Sequence, residues 1–192
     1  MKKTIAVILS LVLLCAALSC WAETSVISTM AGLNWSFSSG AGAWSTDLQI
    51  QEDGSFTGEF HDSDMGDCTD EYPDGTVSFC SFSGQLSLVS QVDEKTWEIR
   101  IDELHTEAAE ETIEDGVRYI PSEPYGLTEG DVMVLYAPGT PLSVLSEDQQ
   151  FWYQAHIVDF ENPPEELELW FLSSVEHDSG FAGYPQESAG NS

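Results

Sequence analysis

Once its first twenty residues are set aside, the chain has almost no positive charge: Lys95, Arg100 and Arg118 stand against 34 Asp and Glu, a formal charge of −31. Affinity for nucleic acid comes largely from Lys and Arg that displace phosphate counterions, so this scarcity excludes nucleic acid as a partner. It equally rules out charge-driven attachment to anionic lipid. Long apolar runs are also missing. The stretch Ile5 to Leu18 falls short of the ~20 residues that a helix needs to cross hydrocarbon. Gly-x-Ser-x-Gly, His-Glu-x-x-His, the P-loop and the dinucleotide fingerprint are all absent, which removes the sequence support for those nucleophilic, metalloprotease and nucleotide chemistries. Nor is there a long helical stripe, which argues against a helix bundle.

What is present begins with an address. A basic start, Met1-Lys2-Lys3, precedes the apolar run, and small residues follow it, so residues 1–22 read as a cleaved export signal. Two cuts fit. Cleavage before Cys20 uses Ala17-Leu18-Ser19-Cys20, which is similar to a bacterial lipobox and would leave a lipid-bearing thiol. Cleavage after Ala22 would give a freely secreted protein. The lipoprotein is favoured, placing the chain outside the cytoplasm on the cell membrane, which it contacts only through the anchor. Residues 23–184 then form one domain and 185–192 a flexible tail. The chain is 42% hydrophobic, and five of its six Trp and all nine Phe fall in this domain, so it can build a core despite its charge.

Cys68 and Cys80 flank Asp74-Gly75 like the two arms of a hairpin. An oxidising compartment predicts a disulfide between them, contributing about 3 kcal/mol through loop closure; two free thiols are the alternative. Zinc at this pair lacks the second Cys pair that a structural site would use.

Apolar residues alternate with polar ones at Leu33-Trp35-Phe37 and at Trp97-Ile99-Ile101, the period of half-buried strands. Leu48 and Ile50, the turn Glu52-Asp53-Gly54, then Phe56 and Phe60 predict a hairpin. Further strands are expected at 77–82 and 86–92, broken at Ser83-Gly84, at 131–137, and at 167–171. Residues 106–112 read as a short helix or loop. Ser146-Glu147-Asp148-Gln149 matches a capping box, while 153–160 also alternates well enough for a strand. The predicted class is all-β: a single antiparallel barrel, lipocalin-like, with one or two short helices; a β-sandwich is the alternative.

The run Leu33-Asn34-Trp35-Ser36-Phe37 through Gly42-Ala43-Trp44, followed by Asp53-Gly54-Ser55-Phe56, resembles the opening of small lipocalin-like barrels. Extended to Tyr125-Gly126-Leu127 and Ala137-Pro138-Gly139-Thr140-Pro141, it more closely resembles a group of uncharacterised exported proteins of Gram-positive bacteria. The lipocalin likeness implies a cup that holds a small apolar ligand. The second likeness implies no activity.

The candidate sites are few. His61, Asp62, Asp64 and Asp67 surround Gly66 and could wrap calcium, although the spacing is not an EF-hand and a solvated acidic turn explains it as well. His-Asp-Ser occurs at 61–63 and again at 177–179, two copies that would make a transition-metal site only if they met. Trp44, beside Gly40 and Gly42, is the aromatic expected to face a ligand, whereas Trp35 and Trp97 are expected to fill the core. The function expected from all this is a lipid-anchored, non-catalytic binding module for a small or apolar ligand. The alternatives are a structural or protein-binding surface domain, its partner another extracytoplasmic protein, and a hydrolase of an extracellular polymer, for which two placed carboxylates would suffice.

Overall fold

The computed structural model describes residues 26–157, 162–174 and 176–186; the expected export signal, Cys20 and residues 187–192 lie outside them. Residues 26–31 are helical, α1. There follow β1 (Leu33–Ser38), β2 (Trp44–Ile50), β3 (Ser55–Asp64), β4 (Thr76–Asp93), β5 (Thr96–Thr106), β6 (Thr112–Glu114), β7 (Val117–Pro121), β8 (Val132–Tyr136), helix α2 (Glu147–Gln154), β9 (Trp170–Ser174) and β10 (Ser179–Pro185).

Eight of these strands close on themselves in the order β1-β2-β3-β4-β5-β8-β9-β10 and back to β1, every neighbour antiparallel. The protein is therefore a closed barrel rather than a sandwich, and closure leaves none of the eight with a free edge. β6 and β7 stand outside the ring as a small hairpin, joined to β4 by a parallel pairing. Their turn is Asp115-Gly116, both at positive φ (51° and 82°), the geometry that a tight hairpin connection requires.

Period-two alternation decides what points inward. Trp35, Phe37, Phe82, Phe181, Ile99, Ile101, Met133 and Leu135 are each at most 2% exposed and fill the barrel. Each such side chain withdraws enough apolar surface from water to contribute about 1.5–3 kcal/mol. Val26, Ile27 and Met30 of α1 join the same cluster at the end where β1 starts, and the Trp35 Nε1–H donates to the Met30 carbonyl at 3.0 Å. At the other end Phe37 is stacked on Tyr125 and meets the edges of Trp44 and Trp152.

A second cluster, Tyr136, Leu145, Tyr153, Leu167 and Phe171, seals α2 and its flanking segments onto the outer wall at β8 and β9. That is why residues 131–137 read as apolar on both faces. The capping box is formed: Ser146 Oγ accepts from the Gln149 N–H at 3.2 Å, and Gln149 Oε1 accepts from the Ser146 N–H at 2.9 Å.

Three sequence expectations need correction. First, Ser83-Gly84 is no break, because β4 runs unbroken through it with bulges further on. Gly84 is extended; a Cβ there would strike the Glu103 carbonyl and the Phe56 ring, so glycine marks a close approach, not a turn. Second, Cys68 and Cys80 are free thiols. The ladder ends at Asp64 opposite Thr76, which places Cys80 four residues down β4, opposite Phe60 and buried in the core. Cys68 is exposed in the loop, next to Asp67, whose carbonyl accepts the Thr76 hydroxyl. Some 13 Å of strand thus separates that point from Cys80, well beyond the ~7 Å that a disulfide spans between Cα atoms. Third, the last strands are β9, beginning only at Trp170, and the Gly-rich β10. The latter extends through Pro185, and Gln186 beyond it donates to the Ala31 carbonyl.

Candidate functional site

Residues of β1 to β3 that point outward are polar, and the register lines them up with Ser81 of β4 and Tyr184 of β10 into two rows across the wall. One row joins Ser36, Asp47, Glu59 and Ser81; the other joins Tyr184, Asn34, Gln49 and Thr57. Glu107, just past β5, extends the first row, its N–H donating to the Ser81 carbonyl at 2.8 Å. Together they line an open groove of about 740 Å³ whose floor includes Gly58 and Phe82. Gly58 faces inward, where a Cβ would collide with the Phe82 ring, so the bulky ring takes the space that the glycine leaves.

The groove carries an electrostatic anomaly. Asp47 and Glu59 are direct cross-strand partners on the same face, an arrangement that ordinarily destabilises a sheet. Among the described residues, Asp47 is steadied by the Ser45 hydroxyl, which donates to Oδ2 at 2.6 Å. The three cations among the described residues make their contacts elsewhere. Arg100 pairs with Asp102 at 2.6 Å, Arg118 pairs with Glu111 at 2.8 Å and lies over Tyr72, and Lys95 donates to the Gly139 carbonyl. Three carboxylates on one wall are thus left facing solvent, ready for a cationic ligand and suited to donors of hydrogen bonds.

Tyr184 closes the groove's edge and ties it to a half-buried histidine. His156 Nδ1 lies 2.7 Å from the Tyr184 hydroxyl, while its Nε2 is shielded from water with no partner among the described residues. Desolvation pushes the imidazole down from 6.5 to about 4. Burial also raises the Tyr184 phenol above its ordinary value, so the contact joins two neutral groups at neutral pH.

The residues singled out from sequence are dispersed. Trp44 is half-buried and meets Phe37, Tyr125 and Trp152 edge-on, so much of its surface is engaged with protein rings. His61 and Asp62 are successive residues of β3, and strand geometry sends their side chains to opposite faces. His61 Nδ1 lies 3.3 Å from the Ser45 hydroxyl, one row beyond Asp47. Asp64 Oδ1 accepts the N–H groups of Gly66 and Asp67, and Asp67 Oδ2 accepts the Thr76 hydroxyl. These carboxylates shape the loop, and the calcium cluster expected of His61, Asp62, Asp64 and Asp67 does not assemble. Cys68 and Cys80 stand apart, as described above. The two His-Asp-Ser copies lie on different hairpins: Asp178 accepts from Trp152 Nε1 at 2.7 Å, while His61 faces Ser45.

Asp47, Glu59 and Glu107 were not evident as a site from the sequence, yet part of the signal was there. Asp47 and Glu59 are equidistant from Asp53, so the predicted turn at 52–54 already pairs them. Ser81 and Glu107 come from the next strands of the meander, and the contribution of Tyr184 depends on barrel closure. Comparison with protein-family models, curated proteins and solved structures finds no match.

Proposed function

We propose that this protein is an exported, non-catalytic binding module that recognises a Lys- or Arg-rich segment of another extracytoplasmic protein in the acidic groove on its outer wall. The facing pair Asp47 and Glu59 carries the proposal, because the fold retains two like charges where a neutral residue would serve it better. The volume of the groove lies in the range of ligand sites, and its amides and hydroxyls suit a polar chain. The filled barrel moves the reading away from a small apolar ligand held inside and toward the outer surface.

Anchorage through a lipid on Cys20 belongs to the same proposal. Only five residues separate Cys20 from Val26, so the tether could reach about 20 Å at most. The barrel end capped by α1 would then lie near the membrane, with the groove on the side wall open to partners.

The test is titration of the protein with an octalysine peptide by calorimetry at several salt concentrations. The double variant Asp47→Asn, Glu59→Gln should lower affinity at least about tenfold, two charge contacts at roughly 0.7 kcal/mol each. The control Glu71→Gln, Glu94→Gln removes the same charge elsewhere and should change it less than about twofold. Equal losses in both would mean diffuse attraction and no groove site.

A further inference from the structure

A second set of side chains converges where the chain enters β8 and where β9 turns into β10. One ligand atom from each of Asp131, Glu176 and His177 lies within 4.8 Å of the others. Asp131 is only 5% exposed, and its Oδ2 is buried with no hydrogen-bond partner among the described residues. A carboxylate oxygen shielded from water and given no donor is costly to keep, unless something else neutralises it. The nearest groups able to share a ligand with it are a carboxylate and an imidazole that reach the solvent.

We propose that Asp131, Glu176 and His177 form a site for a divalent transition ion of the zinc class. Zinc accepts His nitrogen and carboxylate oxygen together, and three protein ligands leave a fourth position for water. Calcium, which takes oxygen donors alone, fits a set containing imidazole less well. Both loops are pinned before any ion arrives. The Asp131 N–H donates to the Thr128 carbonyl, the Ile101 N–H donates to the Asp131 carbonyl at 3.0 Å, and Gly130 supplies the positive φ of 86° that precedes it. The His177 N–H donates to Ser174 Oγ at 3.1 Å, and the turn continues through Asp178 at φ 47°, held by Trp152. Exposed Glu176 and His177 need only rotamer changes to draw in to the ~3.4 Å that tetrahedral ligands adopt. The chain's negative charge concentrates cations at the entrance. The site does not depend on the outer groove, and a bound ion would tie β8 to the β9–β10 turn.

The experiment titrates the full chain with Zn2+ alone, by calorimetry and by thermal unfolding. One ion per chain is expected, and at a hundredfold excess over Kd the midpoint should rise by on the order of 5–10 °C. His177→Ala and Glu176→Gln, at exposed positions that the fold tolerates, should each weaken binding about tenfold or more. Asp131→Asn should do the same, with circular dichroism checking its fold. His61→Ala, His105→Ala and Cys68→Ser should leave affinity within about twofold. Wild-type affinity in His177→Ala, or only weak uptake of several ions by the unaltered protein, would overturn the site.

Discussion

Replacing Glu59 by Gln should make the protein more stable and a worse binder at once. Glu59 is the better position to change, because Asp47 accepts a hydrogen bond from Ser45 that its own replacement would disturb. Direct cross-strand partners hold their Cβ atoms about 5 Å apart, which places the two carboxylates about 6 Å from one another. At that distance two unit charges in a water-like medium repel by about 0.7 kcal/mol. A Debye length of 30 Å at 0.01 M salt preserves most of this, while 8 Å at physiological strength cuts it to about 0.3 kcal/mol. Glu59→Gln should therefore gain roughly 0.6 kcal/mol in 0.01 M salt, about 1–2 °C in Tm, and almost nothing in 1 M. Paired urea denaturations at the three salt concentrations measure it, with octalysine affinity recorded on the same samples. A variant that is less stable, or a gain that ignores salt, would refute the view that the facing carboxylates are retained at a cost.

Three other outcomes are expected. His156 is neutral in the folded state, titrating at about 4, whereas the unfolded chain takes up the proton near 6.5. Stability present above pH 6.5 is thus lost as pH falls toward 4, by about 2 kcal/mol at pH 5. The stability difference between wild type and His156→Gln should shrink by that amount between pH 7.5 and 5; a constant difference would contradict it. Cys68 should alkylate rapidly in the native protein and Cys80 only after unfolding, since burial pushes the Cys80 thiol up to about 11. Intact mass after labelling reads this directly, and failure of both thiols to label in denaturant would restore the disulfide. Gly84→Ala should cost about 2 kcal/mol, because the new methyl meets the Glu103 backbone and the Phe56 ring. An unchanged denaturation midpoint would mean that β4 bends aside more easily than its packing suggests.

The barrel was legible wherever side-chain period and turn chemistry agreed. Trp35 and Phe37, Ile99 and Ile101, the Asp53-Gly54 hairpin and the Ser146 capping box all appear where the pattern places them. It misled where one residue type serves two ends. Gly84 reads as a break because glycine is common in turns, yet here it admits an aromatic ring. Cys68 and Cys80 look symmetric about Asp74-Gly75, but the ladder ends at Thr76, and four further residues of strand carry Cys80 into the core. β10 was missed because small residues, which fit beneath Trp35 and Phe171, lack the β-branched signature of a strand.

By itself, the sequence determined the class of fold, the inward faces of most strands and the overwhelming negative charge, because these follow from local period and composition. Only tertiary structure decided that the cylinder is filled, that Glu107 and Tyr184 join the Asp47–Glu59 pair on one wall, and that Asp131 meets Glu176 and His177. Those groupings depend on which strands become neighbours when the ring closes, a property of long-range register that no local pattern encodes.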